Sequence, residues 1–170
     1  MPAATMGVAE AIGRLIAEGG AALITGGMTG VMEAASKGAK EAGGLVIGVL
    51  PGRDRRSANP YVDVAMPTGL GTARNIIDAR GADAVIMIGG GVGTLNELTI
   101  AYAEGKPVII VRGSGGWADR IESVLYDGHY LDDRHTVSID FADTAEAAVE
   151  LAFQRIDEYF SHPARPEAPI

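Results

Sequence analysis

Apolar residues alternate between two spacings along this chain. From Thr5 to about Glu18, Val8, Ala11, Ile12, Leu15 and Ile16 recur at helical intervals, and Gly19-Gly20 stops the helix they predict. Ala21–Thr25 is a short apolar run of the kind that makes a buried strand. A Gly-rich turn at Gly26–Gly30 leads into a helix to about Ala42, and Gly43-Gly44 ends it. Leu45–Val49 reads as the next strand, Pro51–Pro60 as a polar loop and Val62–Ala65 as a short strand. Helix is predicted over Gly71–Arg80, strand over Ala84–Ile88 and helix over Thr94–Glu104. Then come a strand at Pro107–Val111, a helix at Trp117–Leu125, a short strand at Thr136–Ile139 and an amphipathic helix at Thr144–Phe160. Alternating strands and helices imply βα units, a parallel sheet and helices on both of its faces. The expected core is Leu23, Ile24, Val46, Ile47, Val85, Ile86, Ile88, Val108, Ile109 and Ile110.

Length sets this pattern into one domain, residues 1–160, with a proline-bearing tail at 161–170. A chain of 170 residues buries roughly 70% of the surface it exposes when unfolded, enough for a core without staples. Glycine accounts for 24 residues, about twice the usual share of roughly 7%. The count reflects tight strand–helix turns, because the stretches between the glycines are too apolar for a linker. Cysteine is absent, which excludes disulfides, thiolate metal sites and a cysteine nucleophile. The net charge of −8 argues against binding a nucleic-acid polymer through its phosphates. No apolar run is long enough to span a membrane and the first residues do not read as a signal peptide, so a cytoplasmic location is expected.

The chemistry concentrates at two strand–Gly–helix junctions. At the stronger, Ala84–Ile88 runs into Gly89-Gly90-Gly91-Val92-Gly93-Thr94, and Glu97 follows in the opening turn of a helix. Glycine lets a ligand approach the backbone, and free N–H groups at the positive end of a helix dipole favour an anion, most simply a phosphate. Thr94 and Glu97 also have the spacing of a capping box, so Glu97 reads as a cap as well as a site carboxylate, and the two roles are not exclusive. Gly26–Gly30 is the second junction, at the same edge of a parallel sheet. Arg74 and Asn75 open a helix, where the dipole opposes a cation and an anionic partner would reward one. Arg53, Arg55 and Arg56 read as a solvated basic loop. His129, His135 and His162 have no metal-ligand spacing, and no metal site is expected. No P-loop, nucleophile elbow or Schiff-base lysine is recognisable.

Gly89-Gly90-Gly91-Val92-Gly93-Thr94-Leu95-Asn96-Glu97 resembles the P-G-G-x-G-T-x-x-E signature of the LOG superfamily, Rossmann-like proteins long mislabelled as lysine decarboxylases. Gly27–Glu33 resembles the second Gly-rich junction of that family, and Arg74 stands 23 positions before Glu97 as in its enzymes. Gly71–Asn75, the third glycine of the triple run, Lys106-Pro107-Val108 and Gly115-Gly116-Trp117 are similar to the molybdenum-cofactor carrier-like branch. Gly89 replaces the signature proline, and Asn75 the lysine that usually follows the arginine.

The resemblance implies a three-layer sandwich with a mostly parallel sheet. It implies a phosphate or nucleotide site at Gly27, Thr29, Gly30, Asn75, Gly90, Gly91, Val92, Gly93 and Thr94, with Glu97 and Arg74 as the catalytic pair. Two functions follow from it: hydrolysis of the N-glycosidic bond of nucleoside 5′-monophosphates, or non-catalytic carriage of molybdenum cofactor or a nucleotide on the same loop. Neither is lysine decarboxylation, and neither requires a resident cofactor. The expected partners are a small phosphate-bearing ligand and further copies of the chain in a homodimer or homotetramer. Family members usually begin with a strand and a Gly-Ser loop before the first helix, and this chain starts almost at that helix. The sheet is therefore expected to lack a central strand. Residues 21–25 should pair directly with 84–88, or a partner should supply a strand between them.

Overall fold

The computed structural model describes residues 3–161. The proposed tail lies almost wholly outside the described residues. The chain runs α1 (Ala3–Glu18), β1 (Leu23–Thr25), α2 (Val31–Glu41), β2 (Val46–Leu50), β3 (Val64–Pro67), α3 (Asn75–Gly81), β4 (Val85–Ile88), α4 (Val92–Ala103), β5 (Val108–Val111), β6 (Ile139–Ala142) and α5 (Ala145–Ser161). Short 3-10 turns occupy Arg55–Ser57, Gly71–Arg74 and Ile121–Val124.

All strand pairs are parallel, and they form two three-stranded sheets ordered β1-β2-β3 and β4-β5-β6. Strand period sorts the side chains between two cores. From β5, Ile109 and Val111 join Leu23, Val46, Ile88 and the apolar faces of α1, α2 and α5. Val108 and Ile110 turn the other way, onto Met87, Ala79 of α3 and Leu98, Ala101 and Tyr102 of α4. The result is a three-layer α/β sandwich of Rossmann-like design, as the strand–helix alternation predicts.

Direct pairing of residues 21–25 with 84–88 is not what the chain does: β1 and β4 belong to different sheets. α1 packs against both α2 and α5, so it lies between the element over the first sheet and the element over the second, and bringing β1 onto β4 would require that helix layer to repack. What joins them is the shared core around Leu23, Val46 and Ile88, and the bond from Thr5 Oγ1 to the Ser114 carbonyl.

This break corrects the expected core. Leu23, Val46, Ile88, Val108, Ile109 and Ile110 are buried, but Ile24, Ile47, Val85 and Ile86 are only half-buried. Three of those four sit on β1 and β4, each with a neighbouring strand on one side only. By contrast β5, flanked on both sides, is buried throughout.

Other boundaries move as well. The helix expected over 71–80 is a 3-10 turn followed by α3, and the one expected over 117–125 shrinks to a 3-10 turn at Ile121–Val124. The strand expected at 136–139 lies three residues later, as β6. Val64–Pro67 replaces Val62–Ala65 as β3.

Candidate functional site

Both Gly-rich junctions follow the carboxyl ends of strands. After β4, Gly89 and Gly90 take positive φ, +59° and +92°, and Gly91 is the N-cap of α4. At Gly90 the need for glycine is double, since a Cβ there would also lie 2.4 Å from the Thr94 Cβ. A second loop braces the turn. Gly89 N–H donates to Ser114 Oγ at 2.7 Å, while Trp117 and Ala118 N–H donate to the carbonyls of Gly90 and Gly89 at 3.0 and 3.1 Å. A Cβ on Gly116 would strike the Gly90 oxygen at 2.3 Å. Ser114 and Gly116 are thus supports that the sequence reading passed over as site residues.

α4 starts at Val92, two residues before the expected Thr94, and this removes the capping-box reading of Thr94 and Glu97. They lie at the third and sixth helical positions rather than at the N-cap and the third, and no side chain caps the helix. The first intrahelical bond closes from Leu95 N–H to the Gly91 carbonyl. The N–H groups of Val92, Gly93 and Thr94 precede it and have no helical acceptor. Gly91, Val92 and Gly93 are exposed, Val92 at 77%. A Cβ on Gly91 or Gly93 would meet nothing within 4 Å, so the approach to these donors is open.

Asn75 is buried at the start of α3. Its amide donates to Asn96 Oδ1 at 2.9 Å and to the Gly93 carbonyl at 3.3 Å, which fixes the first turn of α4. At the other junction, Gly27 (φ +70°) packs on Gly48 and Leu50, and Asn59 N–H donates to its carbonyl. Thr29 is exposed, and Gly30 is an N-cap of α2 without a side-chain cap.

Arg74 is half-buried rather than a surface arginine. Its Nη1 donates to Glu97 Oε1 at 3.2 Å and to Asp78 Oδ2, one helical turn on. Its guanidinium fills the space a side chain would take at Gly26, which brings the β1 junction onto the pair. Side-chain exposure is 13% for Arg74, 10% for Asp78 and 23% for Glu97. Burial pushes the Glu97 carboxyl above the ordinary carboxylate range, and the Arg74 charge works against that rise. Among the described residues Asp78 Oδ1 is a buried oxygen with no hydrogen-bond partner. Asp78 was missed in the sequence, where its spacing from Arg74 reads as an ordinary i,i+4 pair. One guanidinium thus serves two carboxylates.

Among the described residues no group of three or more acidic or histidine side chains could hold a metal ion, and no helix is long and apolar enough to cross a membrane. The family model described as the SLOG cluster4 family matches residues 2–149. The chain belongs to the SLOG cluster4 family. This SLOG-family chain is 34% identical over 113 residues to the cytokinin riboside 5′-monophosphate phosphoribohydrolase of Mycobacterium tuberculosis, a match covering 61% of the chain and 60% of that protein. Among solved structures it is similar to the X-ray structure of TM1055, with 48% identity, a TM-score of 0.83 and 86% of each chain covered. The molybdenum cofactor binding protein of Rippkaea orientalis is 36% identical with a TM-score of 0.77, covering 90% of this chain and 88% of that one. The molybdenum cofactor carrier protein of Chlamydomonas reinhardtii is 33% identical with a TM-score of 0.75, covering 93% and 91%.

Proposed function

We propose that this protein binds a nucleoside 5′-monophosphate and hydrolyses its N-glycosidic bond. The observation that carries the reading is Glu97. It is a largely buried carboxyl, released from any capping duty, beside an arginine and one turn from a set of uncapped backbone donors. Burying a carboxylate costs free energy, and nothing in the helix needs this one.

In this reading the 5′-phosphate lies on the N–H groups of Val92, Gly93 and Thr94, where the α4 dipole favours negative charge. Gly90 and Gly91 keep the backbone bare enough for contact, and Asn75 holds the turn in place. Gly27, Thr29 and Gly30 wall the opposite side. The ribose faces Glu97. Water attacks C1′, the C1′–N bond breaks with its electron pair on the base nitrogen, and the water proton passes to Glu97. The carboxylate also stabilises positive charge building on the ribose. A carboxyl raised above its ordinary range exchanges protons nearer neutral pH, which suits such a step.

A second reading, carriage of molybdenum cofactor, is favoured by the two relatives whose names carry it. The same backbone donors would hold the cofactor's phosphate, and Glu97 would only touch the cargo. Exposed Ile76 and Ile77 on α3, beside α4, support self-association into a dimer or tetramer next to the site.

The test pairs two measurements on wild type and Glu97→Ala: calorimetric affinity for a panel of nucleoside 5′-monophosphates, and chromatographic release of free base. The hydrolase reading expects similar affinity in both proteins and a loss of turnover of about 10²–10⁴-fold in the variant. Binding without base release in wild type would overturn it in favour of carriage.

A further inference from the structure

Asp78 is a more deeply buried carboxylate than Glu97, and it has less choice of partner. Its Oδ2 accepts from Arg74, while Oδ1 is buried with no partner among the described residues. Moving Arg74 away would leave that carboxylate charged and alone in the interior, which is heavily penalised. Glu97 is more exposed and meets the same nitrogen at 3.2 Å. The cation is therefore committed to Asp78, and Glu97 takes what remains of it.

We propose that Asp78 is a positioning residue for Glu97: by pinning the Arg74 guanidinium it prevents Arg74 from closing a full ion pair on Glu97, and so keeps that carboxyl free to exchange a proton with water or ligand. The proposal rests on Glu97 being the acid–base group of the site. Gly26 belongs to the same arrangement, because the guanidinium occupies the volume of its missing Cβ and so has a second wall besides Asp78. The charged groups around Glu97 are few. Asp78 and Arg80 lie on α3, which packs against α4, with Asp83 on the turn after it. Arg80 pairs with Glu104 toward the far end of α4, and Lys106 donates to the carbonyls of Arg80 and Ala82. β4 and the Gly26–Gly30 turn carry no ionisable side chain. Glu33 lies in the first turn of α2. Arg74 is the cation in contact with Glu97, so what holds Arg74 controls the Glu97 proton.

The experiment is a carbon-detected NMR titration of the glutamate side-chain carboxyls in the ligand-free full chain, with Glu97 assigned through Glu97→Gln. In Asp78→Asn the Glu97 midpoint should fall by about one pH unit or more, a tenfold weakening of its hold on the proton. In an Arg74→Gln background the same Asp78→Asn change should move the midpoint by less than half as much. An unchanged midpoint in Asp78→Asn overturns the proposal. So does an equal shift with and without Arg74, which would mean that Asp78 acts by its own field. If Asp78→Asn does not fold, wild type still decides: the Arg74 Nε resonance should stay nearly constant through the Glu97 midpoint, and a shift tracking that midpoint refutes the pinning. None of these readouts needs turnover. A protein that binds nucleotide without releasing base would sink the hydrolase reading and leave this result standing.

Discussion

Gly26→Ala puts the packing of the site to a direct test. A Cβ at Gly26 would lie 2.5 Å from Arg74 Nη2, 2.6 Å from Nη1 and 2.7 Å from Cζ. Comfortable contact begins at about 3.5 Å, so the guanidinium must retreat by about 1 Å. A free arginine would do so at little cost, but this one is held by Asp78 and Glu97. Loosening one charged hydrogen bond costs about 1.5–3 kcal/mol, and breaking a buried pair about 3–5 kcal/mol. The expected destabilisation is thus about 2–4 kcal/mol. At about 2–4 °C per kcal/mol for a chain of this size, Tm falls by on the order of 10 °C. Urea and thermal unfolding followed by circular dichroism measure it. The control is the same substitution in Arg74→Ala/Asp78→Ala/Glu97→Gln, where the obstructing atoms are gone and neither carboxylate of the cluster is left without its cation. There Gly26→Ala should cost almost nothing. An equal loss in both backgrounds would refute the idea that Gly26 is glycine to make room for Arg74.

Gly13→Ala and Gly38→Ala should each destabilise the protein by about 3 kcal/mol or more in denaturant melts, since either Cβ would stand 1.9 Å from a carbonyl oxygen of the facing helix, Ala35 or Glu10, and a backbone cannot step aside. Glu97→Gln should stabilise the fold at pH 7–8, and the gain should fade as pH drops toward the ordinary carboxylate range. The sign follows from burial: the folded-state pKa lies above the unfolded one, so ionising Glu97 penalises the folded state at higher pH, while below both values the penalty is gone. Gly91→Val should leave the melt unchanged, because the space around a Cβ there is open, yet abolish binding of a nucleoside monophosphate in calorimetry. Light scattering at micromolar concentration should give a dimer or tetramer mass, and a monomer mass would contradict the assembly proposed here.

Where side-chain burial is symmetric, the sequence is easy to read. β5 is apolar at every position and buried at every position. β6 is harder, because Thr136 and Val137 look like strand while neighbouring His135 takes a positive φ of 50° and the turn delays pairing until Ile139. The expected helix at 117–125 survives only as a 3-10 turn in which Ile121 alone is buried, so a full helix there has little apolar face to pack. In the site, Arg74 and Glu97 could be picked out by residue type and spacing. Asp78 could not, because its importance comes from burial and from an oxygen without a partner, and neither leaves a mark in the order of residues. The capping-box reading of Thr94 and Glu97 failed by three positions, since Val92, Gly93 and Thr94 itself enter the helix behind the N-cap Gly91.

The interruption between the two sheets falls at one place in the sequence. Every ladder of the first sheet comes from residues 23–67 and every ladder of the second from 85–142. The chain is therefore two contiguous modules meeting along a seam, and sliding or tilting at that seam breaks no strand pairing. The candidate site straddles it, with Gly26 on one bank and Arg74, Glu97 and the start of α4 on the other. A ligand bridging the banks acts as a clasp. Its binding energy is added to the joint between the modules, so the same affinity should slow amide exchange across both modules, where a ligand held by one module alone would protect only its own side.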